Sequence, residues 1–199
     1  FDVHTPDGGQ VHATTEAVRD LVTGGWRDLR APLLGGRHTG VSDPTLRPFG
    51  PTGNVKQFEF GVGEEVMLAF HIDHDIKPGS LAYMHVHWAT DGTDTNSVKW
   101  ELNYTYAERN DDTADAFGAE SQILLEQAGS GVTWGHVVTE DTVGFTIPPV
   151  DSLLLVHLKR ITNGGTNNTD NVFGLFCDIH YQTDRHATPS RAPDFYAES

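Results

Sequence analysis

Two histidines one residue apart, His85 and His87, are the sharpest chemical feature of the chain. They follow Gly79 by a short apolar stretch, and Asp91 comes four residues after the second. On a β-strand, residues i and i+2 point to the same face, so both imidazoles can reach one ion. A third ligand would come from another strand, with His157 or His180 as the candidates. Two imidazoles and a carboxylate would suit Fe(II), Mn or Zn. The competing reading is a polar strand face, because Asp91 opens a turn-like Asp-Gly-Thr-Asp-Thr run and its direction is open. His71-Ile-Asp73-His74-Asp75 and Asp178-Ile-His180 are further carboxylate–imidazole clusters. Cross-strand polar pairs are the commoner use of such spacing.

These residues must be positioned by strands. From Val55 onward the hydrophobic period is two: 55–60, 65–72, 81–88, 98–106, 121–127, 134–140, 143–147, 153–161 and 172–183 all read as strands, separated by turn signals. No helical stretch intervenes, which argues against βαβ units. The expected fold is all-β, an antiparallel jelly-roll-like sandwich of about eight strands. The runs 153–158 and 172–177 are continuously apolar, as in central strands covered on both faces, the second cover being an arm or a neighbouring subunit. Residues 1–54 are rich in Pro and Gly and read as an N-terminal arm. One short helix is expected in it, capped at Thr14 or Thr15 and stopped at Gly24-Gly25. Its apolar and anchoring residues are Trp26, Leu29, Arg30, Pro32, Leu33, Leu34 and Phe49, which need either another surface or the chain's own body to cover them. Residues 55–183 form the sandwich and 184–199 a polar tail.

Composition narrows the partners. Thirteen Lys+Arg against 28 Asp+Glu give a net charge of −15, which repels a phosphate backbone and an anionic bilayer, so no nucleic acid and no membrane is expected. No signal peptide is visible, and no apolar run is long enough to span a bilayer. Cys177 is the only cysteine, so no internal disulfide can form. Phosphate loops, dinucleotide fingerprints, nucleophile elbows and Cys-x-x-Cys pairs are missing.

Two resemblances add to this reading. The Gly79…His85-x-His87 block is similar to the opening of the cupin metal motif, although Asp91 stands where that motif normally has Glu. Trp26-Arg-Asp-Leu-Arg-Ala-Pro32 resembles the Trp-x-Asp-Leu-Arg-x-Pro signature of a family of tailed-bacteriophage proteins. The same family is similar at 74–79, at His85-Val-His-Trp88, at 155–161 and at 176–181, in the same order; residues 108–135 depart from it. The resemblance implies a virion structural protein without a catalytic step. The leading expectation is a capsid decoration (cement) protein on the outer shell, made in the host cytoplasm, bridging copies of the major capsid protein. It would associate with itself as a trimer or a dimer, gathering His85, His87 and His180 from several chains near an axis. No cofactor is expected beyond a possible metal at His85/His87. The alternatives are a neck, tail or fibre-base part of the same virion, a cupin-like metal enzyme, and a carbohydrate-binding sandwich stacking sugars on Trp26, Trp88, Trp100 and Trp134.

Overall fold

A computed structural model describes residues 25–109 and 116–183, together with two short strands, β1 (Asp2–His4) and β2 (Gln10–His12), which pair antiparallel. The helix expected after Thr14 and the tail 184–199 lie outside the described residues. The remaining strands are β3 (Trp26–Pro32), β4 (Thr45–Phe49), β5 (Val55–Glu59), β6 (Glu65–His71), β7 (Leu81–Thr90), β8 (Ser97–Ala107), β9 (Ser121–Ala128), β10 (Val137–Glu140), β11 (Phe145–Thr146), β12 (Leu153–Ile161) and β13 (Val172–Gln182). Among the described residues the one helical element is a 3₁₀ turn, Leu33–Gly35.

The strands form two antiparallel sheets, one ordered β6-β12-β8-β9 and the other β10-β7-β13-β5-β4. From β5 to β13 the chain crosses from one sheet to the other at every connection except β8–β9 and β10–β11, which gives the strand order of a jelly roll, as the periodicity predicts. β11 extends the β7 edge, and β3 continues the line of β5 alongside β13. The alternation has a direct physical consequence. Ala82, Met84, Val86 and Trp88 of β7 enter the core, as do Val98, Trp100 and Leu102 of β8 and Leu154, Val156 and Leu158 of β12. Trp100 meets Phe60 edge-on at 5.3 Å, and buried Trp88 donates its indole N–H to Thr139 Oγ1 at 2.8 Å. Buried Arg160 joins the layers: Nη1 donates to the Phe60 carbonyl at 2.6 Å and Nη2 to that of Asn168 at 2.9 Å. Cys177 is a core residue whose thiol burial pushes to a higher pKa, so it stays protonated.

The described part of the expected arm lies within the sandwich. β3 runs antiparallel to β13, with Leu29 opposite Ile179 and Ala31 opposite Cys177. Leu33 is fully buried, so it is a core side chain and not a free anchor. Space for it exists because residue 174 is glycine: a Cβ there would stand 2.6 Å from Leu33 Cδ1 and 2.8 Å from Phe60 Cε2. Gly174 also borders the register shift of β13 between its β5-paired and β3-paired halves. β4 is the outer strand of its sheet and carries Pro48 where no further strand needs an N–H.

Candidate functional site: a histidine–carboxylate cluster on an outer sheet face

The residues of β7, β13, β3 and β10 that do not enter the core share the outer face of their sheet. Register decides which of them meet. Glu140 of β10 and Asp178 of β13 stand directly opposite His85 on either side, and His180 pairs with Tyr83, two residues away on the same face. Directly opposed side chains have Cβ atoms about 5 Å apart, and diagonal neighbours remain within reach of long side chains.

His85 is the centre of the cluster and is only 8% exposed. Its Nε2 lies 3.2 Å from Glu140 Oε1 and its Nδ1 lies 3.8 Å from Asp178 Oδ1. The Nε2 atom is nonetheless a buried polar atom without a hydrogen bond, because the Glu140 oxygen is out of line for one. His180 packs edge-on against His85, ring centroids 5.2 Å apart, and Trp26 covers His180 at 4.9 Å. His87 is tied elsewhere: Nε2 meets Asp178 Oδ1 at 3.2 Å and Nδ1 meets His136 Nε2 at 2.9 Å. Burial and the neighbouring His87 both lower the pKa of His136, which favours a neutral ring at that contact. Two ligand groups could hold a metal ion, each with its donor atoms within 4.8 Å of one another: His85, Glu140 and His180, and His85, His87 and Asp178. A single chain therefore gathers the three histidines without help from a symmetry axis.

Asp91 is not part of this group. It lies beyond the end of β7, about 3.3 Å of strand per residue away from His87, and accepts hydrogen bonds from the Asn171 backbone N–H at 3.0 Å and side-chain Nδ2 at 2.6 Å. Glu140 and Asp178 supply the carboxylates instead. His157 faces away on the other sheet, its Nε2 3.0 Å from Glu65 Oε2. His71 at the end of β6 is paired with Asp151 in the turn before β12, at 2.8 Å, and Asp151 also takes Arg109 at 3.1 Å. Asp75 accepts the Tyr181 hydroxyl at 2.9 Å and pairs with Arg27, so these carboxylates serve cross-strand and inter-loop contacts.

The anchor residues divide in two. Trp26 is 48% exposed, Leu34 is exposed, and Arg30 is exposed with Asp28 at 3.3 Å. Leu29 packs against the core, and Phe49 packs edge-on against Trp134 and Phe173 at 5.0 and 5.3 Å. Of the four tryptophans considered as a sugar platform, Trp88 and Trp100 are fully buried and cannot stack on a ligand.

The second surface feature is an apolar stripe on the outer face of the other sheet. Leu153 and Leu155 of β12 point outward at 40% and 38% exposure, beside Met67 of β6 at 39%. With Ala69, Pro32, Gly35 and Arg37 they line an open cleft of about 780 Å³.

No family model matches the chain, and no curated protein is similar to it. Among solved structures it is similar to a Bacillus thuringiensis Cry1Da tryptic core variant (11% identity, TM-score 0.45), covering 78% of this chain and 23% of that one. It is also similar to a β-1,3-glucan binding CBM6 from Bacillus halodurans (11%, TM-score 0.44, 77% of this chain and 94% of that one). A third is CBM35 from Cellvibrio japonicus Abf62 (12%, TM-score 0.42, 81% and 99%). These are likenesses of fold between β-sandwich domains. Among the described residues no helix is long and apolar enough to cross a membrane.

Proposed function

We propose that this chain is a structural protein of a tailed-bacteriophage virion, a decoration or cement protein that docks on the outer capsid shell, is not an enzyme, and acts by bridging capsid subunits. The observation that carries the reading is the exposed stripe of Leu153, Leu155 and Met67 on the outer face of the β6-β12-β8-β9 sheet. β12 lies between β6 and β8, where a strand buried on both faces is expected from its apolar run, yet Leu153 and Leu155 stay 40% and 38% exposed on its outer face, in a cleft bordered by Pro32, Gly35 and Arg37. Contiguous exposed apolar surface on a folded domain marks a place where another macromolecule sits. The block resemblance from Trp26 to Tyr181 supports a virion protein as that partner, and the net charge of −15 suits the outside of a shell better than its DNA-lined interior. Many weak, identical contacts on a repeating lattice are sufficient for firm attachment. Self-association as a trimer belongs to the same proposal.

The test is co-sedimentation of the purified chain with particles of the virus that encodes it, comparing wild type with Leu155→Asp. Wild-type chain pelleting in many copies per particle, with the variant left in the supernatant while still folded, supports the proposal. Equal pelleting of both removes the stripe as the docking surface, and a few copies per particle moves the protein to the neck or tail.

A further inference from the structure

We propose that His85 Nε2, His180 and the Glu140 carboxylate bind one Zn²⁺-class divalent ion on the outer face of the β10–β7–β13 sheet, with Asp178 positioning His85 from behind. This site is independent of the docking stripe, which lies on the other sheet.

Three observations carry it. The first is the orphan nitrogen. A buried ring nitrogen without a hydrogen bond is costly, and native proteins leave few of them. His85 Nε2 has a carboxylate oxygen 3.2 Å away, yet the geometry is wrong for donation. Two ligands of one tetrahedral ion, each about 2.0–2.2 Å from it, stand about 3.3 Å apart, and they point at the ion and not at each other. The 3.2 Å between His85 Nε2 and Glu140 Oε1 matches that separation, and His180 supplies a third donor within 4.8 Å of both.

The second is the other side of the same ring. Asp178 Oδ1 lies 3.8 Å from His85 Nδ1 and is buried. That separation is longer than a hydrogen bond, but a buried carboxylate on the Nδ1 side favours the tautomer that keeps the proton on Nδ1 and leaves the Nε2 lone pair free for an ion. Asp178 is itself held by His87 at 3.2 Å, so the second carboxylate has a partner that does not need the ion.

The third is the donor chemistry and the access. Two imidazoles with one carboxylate are borderline ligands suited to Zn²⁺ and its first-row neighbours, and not to Ca²⁺ or Mg²⁺. The ligands come from three adjacent strands, so their spacing is set by sheet register and not by a mobile loop. His180 is held on its other flank by Trp26, and Glu140 is exposed, which leaves a path from solvent and a fourth position for water.

The experiment uses the full chain, stripped with EDTA and dialysed, and titrated with ZnCl₂ by calorimetry. Co²⁺ absorption reports four-coordination independently, and thermal unfolding reports linkage. One Zn²⁺ per chain is expected, with the unfolding equilibrium constant lowered about 100-fold when free zinc is 100 times Kd. His85→Ala and His180→Ala should each weaken binding at least tenfold. His71→Ala, on the opposite sheet, should bind as wild type. Glu140→Gln changes an exposed position without loss of volume and gives the same readout should His85→Ala fail to fold. No stoichiometric zinc binding to the wild type overturns the proposal. So does binding that survives both His85→Ala and His180→Ala, which would mark an adventitious surface site. Loss of binding in His87→Ala with retention in His180→Ala would place the ion between His87 and Asp178 and overturn the ligand assignment.

Discussion

Leu33→Ala asks whether the proline- and glycine-rich N-terminal segment belongs to the body it precedes. Leu33 is fully buried, its Cδ1 close enough to Gly174 that one added methyl there would collide at 2.6 Å. The neighbouring Gly36 is equally confined, since a Cβ at that position would stand 3.1 Å from Val66 Cβ and 3.3 Å from Leu68 Cδ2. A buried leucine shortened to alanine loses the transfer free energy of its methylenes and leaves a cavity between β13 and Phe60. Together these cost about 2–5 kcal/mol, and a site walled by two sheets has little room to collapse, so the upper half of that range is expected. For a domain of this size the melting temperature should fall by about 7–20 °C, at roughly 2–4 °C per kcal/mol. Leu34→Ala is the internal control: the adjacent side chain is 46% exposed, so its truncation should stay within about 0.5 kcal/mol. Urea and thermal unfolding of the isolated chain, followed by tryptophan fluorescence and far-ultraviolet circular dichroism, measure both. A Leu33→Ala variant as stable as Leu34→Ala would refute the reasoning. It would mean that the segment is ordered only on a partner and that its burial contributes nothing to the free chain.

Three further outcomes follow from the same contacts. Arg160→Met removes the donors to the Phe60 and Asn168 carbonyls and leaves two buried acceptors unpaired, which should cost about 2–6 kcal/mol at roughly 1–3 each; urea denaturation checks this, and an unchanged midpoint contradicts it. Asp151 is lowered from its ordinary 3.8: burial alone would raise it, but the hydrogen bonds from Arg109 and His71 and their charges outweigh that effect. A depressed carboxylate adds stability above its unfolded pKa that is lost as pH falls through the folded one, so Asp151→Asn should flatten the decline in melting temperature below about pH 4 and leave a smaller difference from wild type in strong acid. Leu155→Asp should leave the melting temperature of the isolated chain within a few degrees, because residue 155 points outward, while abolishing attachment to particles; a large loss of stability would show that the stripe is already covered within the chain.

Seven of the nine strands from Val55 onward were legible because each alternates, or runs apolar, over five or more residues; β10 and β11 are shorter than the expected 134–140 and 143–147, because Trp134 turns the chain at φ 63 and β11 pairs with β7 through two residues alone. β3 and β4 were not. In β3 the inward positions are Arg27, Leu29 and Ala31, and the arginine is there to reach Asp75 and not to fill the core. In β4, Pro48 reads as a strand breaker, and only the edge position makes it acceptable. The candidate site was half visible for a related reason. His85 and His180 were found from residue type, but the local spacing that nominated Asp91 carries no information about strand register. Glu140 sits opposite His85 because β10 returns beside β7, a pairing between residues 55 positions apart that no local motif announces. The outward exposure of Leu153 and Leu155 was hidden too, since a continuous apolar run looks the same whether its second face is covered by the chain or left for a partner.

The central claim is that the outer face of β6 and β12 is completed by a virion shell. A three-dimensional reconstruction of the intact particle tests it most directly. The account predicts this jelly roll on the exterior of the capsid, with Leu153, Leu155 and Met67 buried against a neighbouring protein. Particles in which the chain is absent, or present with those three side chains facing solvent, would contradict it.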